Sequence, residues 1–473
     1  MEIIGLALLI LIVFVLSLAG ILYSRGKNYS IEDYITSRNT LKTWPLIATL
    51  VASGMGAWIL FSPSETAASF GLMSLIGYSL GSASAAFIFI FIGKRIRKLM
   101  PFGHSITEYV LHRYGKLMYV LVLVISFFYM MTYLSAELTA VALSANLVFG
   151  IPLAYTALVV GIGTVAYTAF GGIQSDFFSD KIHMFLTIPL LVFIFLLGFY
   201  AVSGFESFQA IERVNPSILS FANFSGILYG ITLMIAIVGA ELFNQGNWQR
   251  VYAAKSMKIM RRGFFISGCI VIPIILIAGT FGIFSLATGT LENPSISLFS
   301  FLLKFAPNAV FFIILILAIA LVTSTIDTLL NGMVSLFTVD LARIMKTPDG
   351  KKTLRIAKLS SIIITIIPML VSIKGYSVLY IFLVADFVCA AAAFPTFYGL
   401  YSRKMSGAVA FAATILGIIS GVFFFPDPSF SSGNLFLSFL LAFLVSLLIS
   451  VIFSSPENKF DFRQLRKNIK KIS

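Results

Sequence analysis

Between Phe311 and Asp340 the sequence runs FFIILILAIALVTSTIDTLLNGMVSLFTVD, and in the middle of this apolar stretch stand Thr323, Ser324, Thr325, Asp327 and Thr328. Hydroxyls and a carboxylate are expensive at bilayer depth and are retained where they face a bundle interior, a water-filled cavity or an ion. Their oxygens are hard ligands with little fixed charge, suited to a small alkali cation; a transition metal favours imidazole or thiolate. Hydroxyls also glue helices together, but five polar groups within six residues weaken that reading. A second candidate is LVASGMGAWILFSPSETAASFG, where Gly54, Gly56 and Pro63 interrupt an otherwise continuous helix. Unwound backbone at membrane depth lines cavities, presenting carbonyls to cations and N–H groups to solutes. A third is IAIVGAELFNQGNWQRVYAAKS, which mixes Gly239, Glu241, Asn244, Gln245 and Gly246 into the end of a helix. Five acids lie inside apolar stretches, Glu65, Glu137, Glu241, Asp327 and Asp386, and together they tilt any shared cavity negative.

The elements that must position these groups are membrane helices. Of 473 residues 59% are hydrophobic and only 11% charged, with a mean hydropathy of +0.99, whereas soluble domains carry about 25% charged residues. Apolar runs long enough to cross a hydrocarbon core of about 30 Å fall near 3–23, 44–71, 74–92, 117–145, 151–171, 182–203, 221–245, 263–288, 307–340, 359–373, 376–400, 405–425 and 434–454. The expected fold is an all-α membrane protein of thirteen transmembrane helices.

The net charge of +14 raises the question of nucleic acid, and the placement of the basic residues answers it. With thirteen spans, 30 of the 33 Lys and Arg residues fall on the side of the C-terminus, and only Arg213, Lys304 and Lys374 on the other. Cytoplasmic loops are the basic ones, so the expectation is a multi-pass plasma-membrane protein with its N-terminus outside and its C-terminus cytoplasmic. No nucleic-acid partner is implied. Cys269 and Cys389 sit inside spans and offer neither a disulfide framework nor a metal motif. The tail KFDFRQLRKNIKKIS is expected on the anionic inner leaflet.

The two interrupted helices lie about 187 residues apart, and spans two to six and seven to eleven contain five helices each. Paired interruptions mark inverted repeats with a transport site at the midplane. The expected organisation is a peripheral first helix and loop at 1–43, a first repeat at 44–203, an inverted second repeat at 204–400, and two peripheral helices with a basic tail at 401–473.

The segments EDYITSRNTLKTWPL, HSITEYVLHRYG, YTAFGGIQSDFFSDKI, FNQGNWQRVYAAKS, ALVTSTIDT and PTFYGLYSRKMSGAVA, in this order and spacing, make the chain resemble the sodium/solute symporter family of proline, galactose, sialic acid and pantothenate transporters. The resemblance implies a five-plus-five inverted-repeat core. It also implies a sodium site from the carbonyls of Ala52, Met55 and Leu321 with the hydroxyls of Ser324 and Thr325. A second sodium, in members that carry one, would use Asp180, Asp327 and Thr328. Asp327 departs from the hydroxyl usual there, and Asp180 also reads as a membrane-edge carboxylate paired with Lys181. Family substrate contacts come from the break and from the fourth and seventh spans, which implies Ser53, Gly56, Trp58, Glu137, Glu241 and Asn244.

The aromatic on which sugar transporters stack their substrate aligns with Ala240 and a neighbouring amide with Ile237, which disfavours a sugar. No Lys or Arg lies deep in any span to clamp an acid. The expectation is therefore sodium-coupled symport of an amino acid, betaine or other amine-bearing solute. A zwitterion's carboxylate would take the N–H groups of the break, and its amine a carboxylate or the face of Trp58. Proton coupling and a transporter-fold sensor are the alternatives. An enzyme is disfavoured, because His104, His112 and His183 fall near helix ends and no catalytic motif is present.

Overall fold

The computed structural model describes residues 1–25, 30–202, 215–344, 350–455 and 460–469. Arg213 and the expected boundary at 203–204 lie outside them, as do parts of the first loop and of the basic tail. Helices account for almost all of the described chain: α1 (Glu2–Ser24), α2 (Ile31–Ile35), α3 (Thr43–Gly54), α4 (Ser62–Phe70), α5 (Leu72–Leu99), α6 (Ile106–Tyr114), α7 (Lys116–Phe149) and α8 (Leu153–Ala201). They continue with α9 (Phe224–Glu241), α10 (Gln245–Ala253), α11 (Met257–Ala287), α12 (Ser297–Phe305), α13 (Asn308–Ile344), α14 (Gly350–Ser372), α15 (Val378–Tyr398), α16 (Gly407–Val422), α17 (Leu435–Ile452) and α18 (Arg463–Asn468). Among the described residues there is no strand, only an isolated bridge between Leu41 and Ala254 that ties the start of α3 to the end of α10.

Nine of these helices are long and apolar enough to cross a membrane, or ten when α3 and α4 are counted as one bent span. Four shorter apolar helices occupy Leu153–Thr168, Pro294–Phe305, Lys358–Ser372 and Gly407–Val422 among the described residues. Burial separates centre from periphery. In the most apolar stretch of α13, 78% of residues are buried inside the protein, against 28% in α1 and 33% in α17. The helix with the hydroxyl cluster is therefore the one the bundle wraps around.

The expected interruption of the second span is present. Helix α3 ends at Gly54, a short 3-10 turn covers Ala57–Leu60, and the chain resumes after a bend of 57°. Pro63 in the first turn of α4 has no amide to leave unpaired. A further turn at Leu242–Asn244 separates α9 from α10.

The fifth and sixth spans differ from expectation. No loop separates them: the chain reverses at Gly172, whose φ of 54° suits only glycine at low strain, and helix continues on both sides. Ser175, Asp176, Ser179 and Asp180 thereby belong to a helix inside the bundle instead of a surface loop, and all four are buried. Backbones approach closely at Gly77 of α5, where a Cβ would lie 2.3 Å from the Gly230 Cα of α9; small residues at such crossings are what lets membrane helices touch. Cys269 is exposed and is not the core residue its apolar surroundings suggest. The tail is docked: Leu465 is fully buried, and Arg113 lies 4.5 Å over the Phe460 ring.

Candidate functional site

Two polar centres flank the break in α3–α4. The first faces α13. Helix α13 packs on α3 and on the 3-10 turn, and Ala52, Met55, Leu321, Ser324 and Thr325 are all buried. Met55 caps α3 in an extended conformation, its N–H bonding Val51 O at 3.1 Å and Ala52 O at 3.3 Å. The C-terminal end of a helix offers carbonyl oxygens and the negative pole of its dipole. Ser324 Oγ donates to Asp180 Oδ1 at 2.5 Å and Thr325 Oγ1 to Leu321 O at 3.3 Å, so both hydroxyls keep lone pairs for a cation.

Next to it lies a cluster whose acids and hydroxyls were anticipated only in part. Carboxylate oxygens of Asp176, Asp180 and Asp327 lie within 4.8 Å of one another. The counter-charge is Arg250 of α10, fully buried, whose Nη2 donates to Thr328 Oγ1 at 2.9 Å, to Asp180 Oδ2 at 3.1 Å and to Asp176 Oδ2 at 3.4 Å. Its Nε reaches Thr49 Oγ1 at 2.9 Å, and Thr49 in turn donates to Asp180. Asp180 is thus bound by Arg250, Ser324 and Thr49, while Lys181 is exposed. Asp327 Oδ2 accepts from Tyr167 at 2.8 Å and from Ser179 at 2.9 Å, and its Oδ1 has no hydrogen bond. Arg250 reads as a loop residue because it follows the end of the seventh apolar run; no periodicity signals that α10 turns back into the bundle.

The second centre is a cavity of about 110 Å³ with room for several waters or a small solute. Trp58, Tyr78, Tyr129, Tyr133 and Phe382 make an aromatic wall, with Trp58 and Tyr78 stacked at 5.7 Å and Tyr133 edge-on to Phe382 at 4.8 Å. Glu241, Asn247 and Asp386 supply polar groups, and among the described residues no Lys or Arg lines it. Glu241 accepts from Tyr129 at 3.0 Å, Asn244 at 3.1 Å and Asn247 at 2.6 Å. Asp386 is buried and accepts no hydrogen bond from a described residue.

Of the expected substrate contacts, Trp58 and Glu241 line this cavity. The other four do not. Ser53 Oγ donates to Thr49 O within its own helix, at 2.5 Å, and Asn244 caps α10, accepting from the Gly246 N–H at 3.0 Å. Glu137 turns onto the break: its Oε2 accepts from the Ala57 N–H at 2.7 Å, and any Cβ on Gly56 would collide with its carboxylate. The carboxylate for the unwound amides comes from the protein itself. Nothing in the sequence marks Tyr78, Tyr129, Tyr133, Phe382 or Asn247 as cavity residues, and Asp386 shows there only as an intramembrane acid.

The family model for the sodium:solute symporters matches residues 34–417. The chain belongs to that family. Its members are membrane transporters rather than enzymes. A spermidine transporter, DUR31, of Candida albicans is 28% identical over 416 residues, covering 86% of this chain and 77% of its own. A sodium/glucose cotransporter of Vibrio parahaemolyticus is 23% identical over 396 residues, 74% of this chain and 70% of its own. Among solved structures, a substrate-bound, outward-open Na+-coupled sialic acid symporter superposes with a TM-score of 0.79 over 95% of this chain and 97% of that one, at 18% identity, which establishes a shared fold.

Proposed function

We propose that this symporter couples sodium to the uptake of a small organic cation whose charge is carried by amine groups and which has no carboxylate of its own. The observation that carries this reading is the pairing of Glu241 and Asp386 in one aromatic-walled cavity that no Lys or Arg lines. An ammonium gains from a desolvated carboxylate and from the faces of Trp and Tyr. An amino acid or betaine would need a partner for its own carboxylate, and the amides of the break are already held by Glu137. The likeness to a spermidine transporter supports an amine solute and a pair of carboxylates suits a dication.

Sodium is assigned to the carbonyls of Ala52, Met55 and Leu321 with Ser324 and Thr325. At the neighbouring cluster the Arg250 guanidinium already bonds Asp180 and Thr328, two of the three groups a second sodium would use, which favours one sodium per cycle. A second reading, proton coupling, has one observation in its favour: three adjacent carboxylates face a single buried arginine. Thirteen spans follow when three of the four shorter apolar helices, Leu153–Thr168, Lys358–Ser372 and Gly407–Val422, are added to the ten, and the breaks at 55–56 and 242–244 fall near the start of each half as expected of an inverted repeat. Proteoliposomes given a sodium gradient should accumulate labelled spermidine. Uptake of urea or glucose in preference, or uptake driven equally by a proton gradient without sodium, would refute the respective part.

A further inference from the structure

We infer that the groove between α3, α5 and α11 is a binding site for one anionic phospholipid. Its volume is about 1250 Å³ and its wall is formed by Pro45, Ile47, Ile90, Met257, Phe265 and Ile266, far too apolar a surface for a soluble anion. Around it stand Lys42, Lys94, Lys258, Arg261 and Arg262, all exposed. None of the five has an ion pair or a side-chain hydrogen bond to a described residue, and no acid lines the groove.

The positive-inside rule accounts for cations scattered near helix ends. It does not account for five converging on one apolar hollow without a carboxylate among them. Lys42 precedes the first residue of α3, Lys94 lies near the end of α5, and Lys258, Arg261 and Arg262 occupy the first turns of α11, so the five share one end of their helices. Trp44, 74% exposed, stands at the mouth where an amphipathic ring belongs at a membrane interface. A glycerophospholipid satisfies both halves: its phosphate takes the guanidinium forks and ammonium groups, and an acyl chain fills the groove along Ile47, Ile90 and Phe265.

The same three helices line the central cavity from their other faces, through Leu50 and Gly54 of α3, Ala85 and Phe89 of α5, and Phe264, Ser267 and Val271 of α11. A lipid seated in the groove braces the outer side of that wall, including the helix that ends at the break.

Native mass spectrometry and thermal melts of the full chain, with phosphatidylglycerol or phosphatidylcholine added, test the site. Wild type should retain one phosphatidylglycerol and melt higher with it, and phosphatidylcholine should do neither. Lys258→Gln with Arg261→Gln and Arg262→Gln should weaken retention by on the order of a hundredfold, at about fivefold per cation removed near an anionic lipid. Ile90→Trp, which obstructs the acyl-chain path along the groove and leaves every charge in place, should also weaken retention and guards against a triple variant that does not fold. Retention by both variants equal to that of wild type would overturn the proposal. So would an equal rise in melting temperature from inorganic phosphate alone, since the groove would then take no part.

Discussion

At the residue scale the ion site and the solute site rest on different kinds of legibility. Ser324 and Thr325 stand out in the sequence because hydroxyls in an apolar run violate the pattern around them, and the structure buries both on a helix that packs against α3. Replacing both with alanine preserves helix propensity and removes two oxygens that no water can replace at that depth. Sodium-driven uptake should fall to background while expression persists; unchanged sodium dependence would refute the assignment. The solute cavity is less legible. Tyr78, Tyr129, Tyr133 and Phe382 are aromatic residues among 14% aromatic composition and carry no local mark, since only the crossing of α5, α7 and α15 makes them neighbours. Asp386 is the decisive one, a buried carboxylate on the cavity wall without a hydrogen bond. Leaving an ammonium without a desolvated partner costs about 2 to 5 kcal/mol, so Asp386→Asn should weaken solute binding by roughly thirtyfold or more. Glu137→Gln keeps an oxygen for the Ala57 amide and should change affinity by less than about tenfold. Equilibrium binding of labelled spermidine to the purified variants separates the two outcomes.

At the scale of elements, the long apolar helices and the break after Gly54 are readable from the sequence, whereas the joint at Gly172 is not. Nothing in the run TAFGGIQSDFFSDKI says that Gly172 turns the chain at once, since a glycine pair before polar residues reads equally well as a loop. The turn matters because it places Asp176 and Asp180 within reach of Arg250. Another joint lies outside the spans, where Glu32 of α2 accepts from Arg38 at 2.7 Å and faces His104 Nε2 at 2.6 Å, and the other ring nitrogen lies 3.3 Å from Glu108. Burial alone would lower the His104 imidazolium, but Glu108 and Glu32 outweigh it and hold its pKa above the ordinary 6.5. Burial would likewise raise Glu32, yet His104 and Arg38 hold it below 4.5. The His104 contribution to stability is complete below pH 6.5 and is lost as pH rises through its elevated pKa; that of Glu32 is present above pH 4.5 and is lost as pH falls through its lowered one. The joint is firmest between those values. The melting temperature in detergent should therefore decline from pH 6 towards pH 9, and His104→Gln should flatten that decline. An identical pH profile in the variant would show that the joint makes no such contribution.

At the scale of the whole molecule, transport requires that the central cavity open to one side at a time, and the structure holds the parts of a closure. Beyond the cavity lies a second hollow of about 390 Å³ lined by Glu65, Ser69, Tyr229, Ser295 and Ser377, and Leu379 borders both spaces. Glu65 Oε1 accepts from Ser295 at 2.9 Å and from Ser377 at 3.1 Å, tying α4 to the turn before α12 and to the start of α15. Parting these three elements would join the hollow to the cavity, and Leu379 is the layer that must move. The helix ends that carry Lys94, Lys258 and Arg261 lie at the opposite end of the bundle, so on the proposed topology the Glu65 hollow faces outside. With Cys269 and Cys389 replaced by alanine, single cysteines at Ser295 and Ser267 should report the two sides. On the proposed sodium site at the end of α3, an ion that binds the state open to the outside more tightly than the other would shift the population towards it. Labelling at Ser295→Cys by an impermeant external reagent should rise several-fold with sodium and labelling at Ser267→Cys from the basic side should fall, the pair moving in opposite directions as a two-state equilibrium demands. Parallel changes at both positions, or labelling of both from both sides regardless of sodium, would describe a continuous pore, and alternating access would have to be abandoned for this chain.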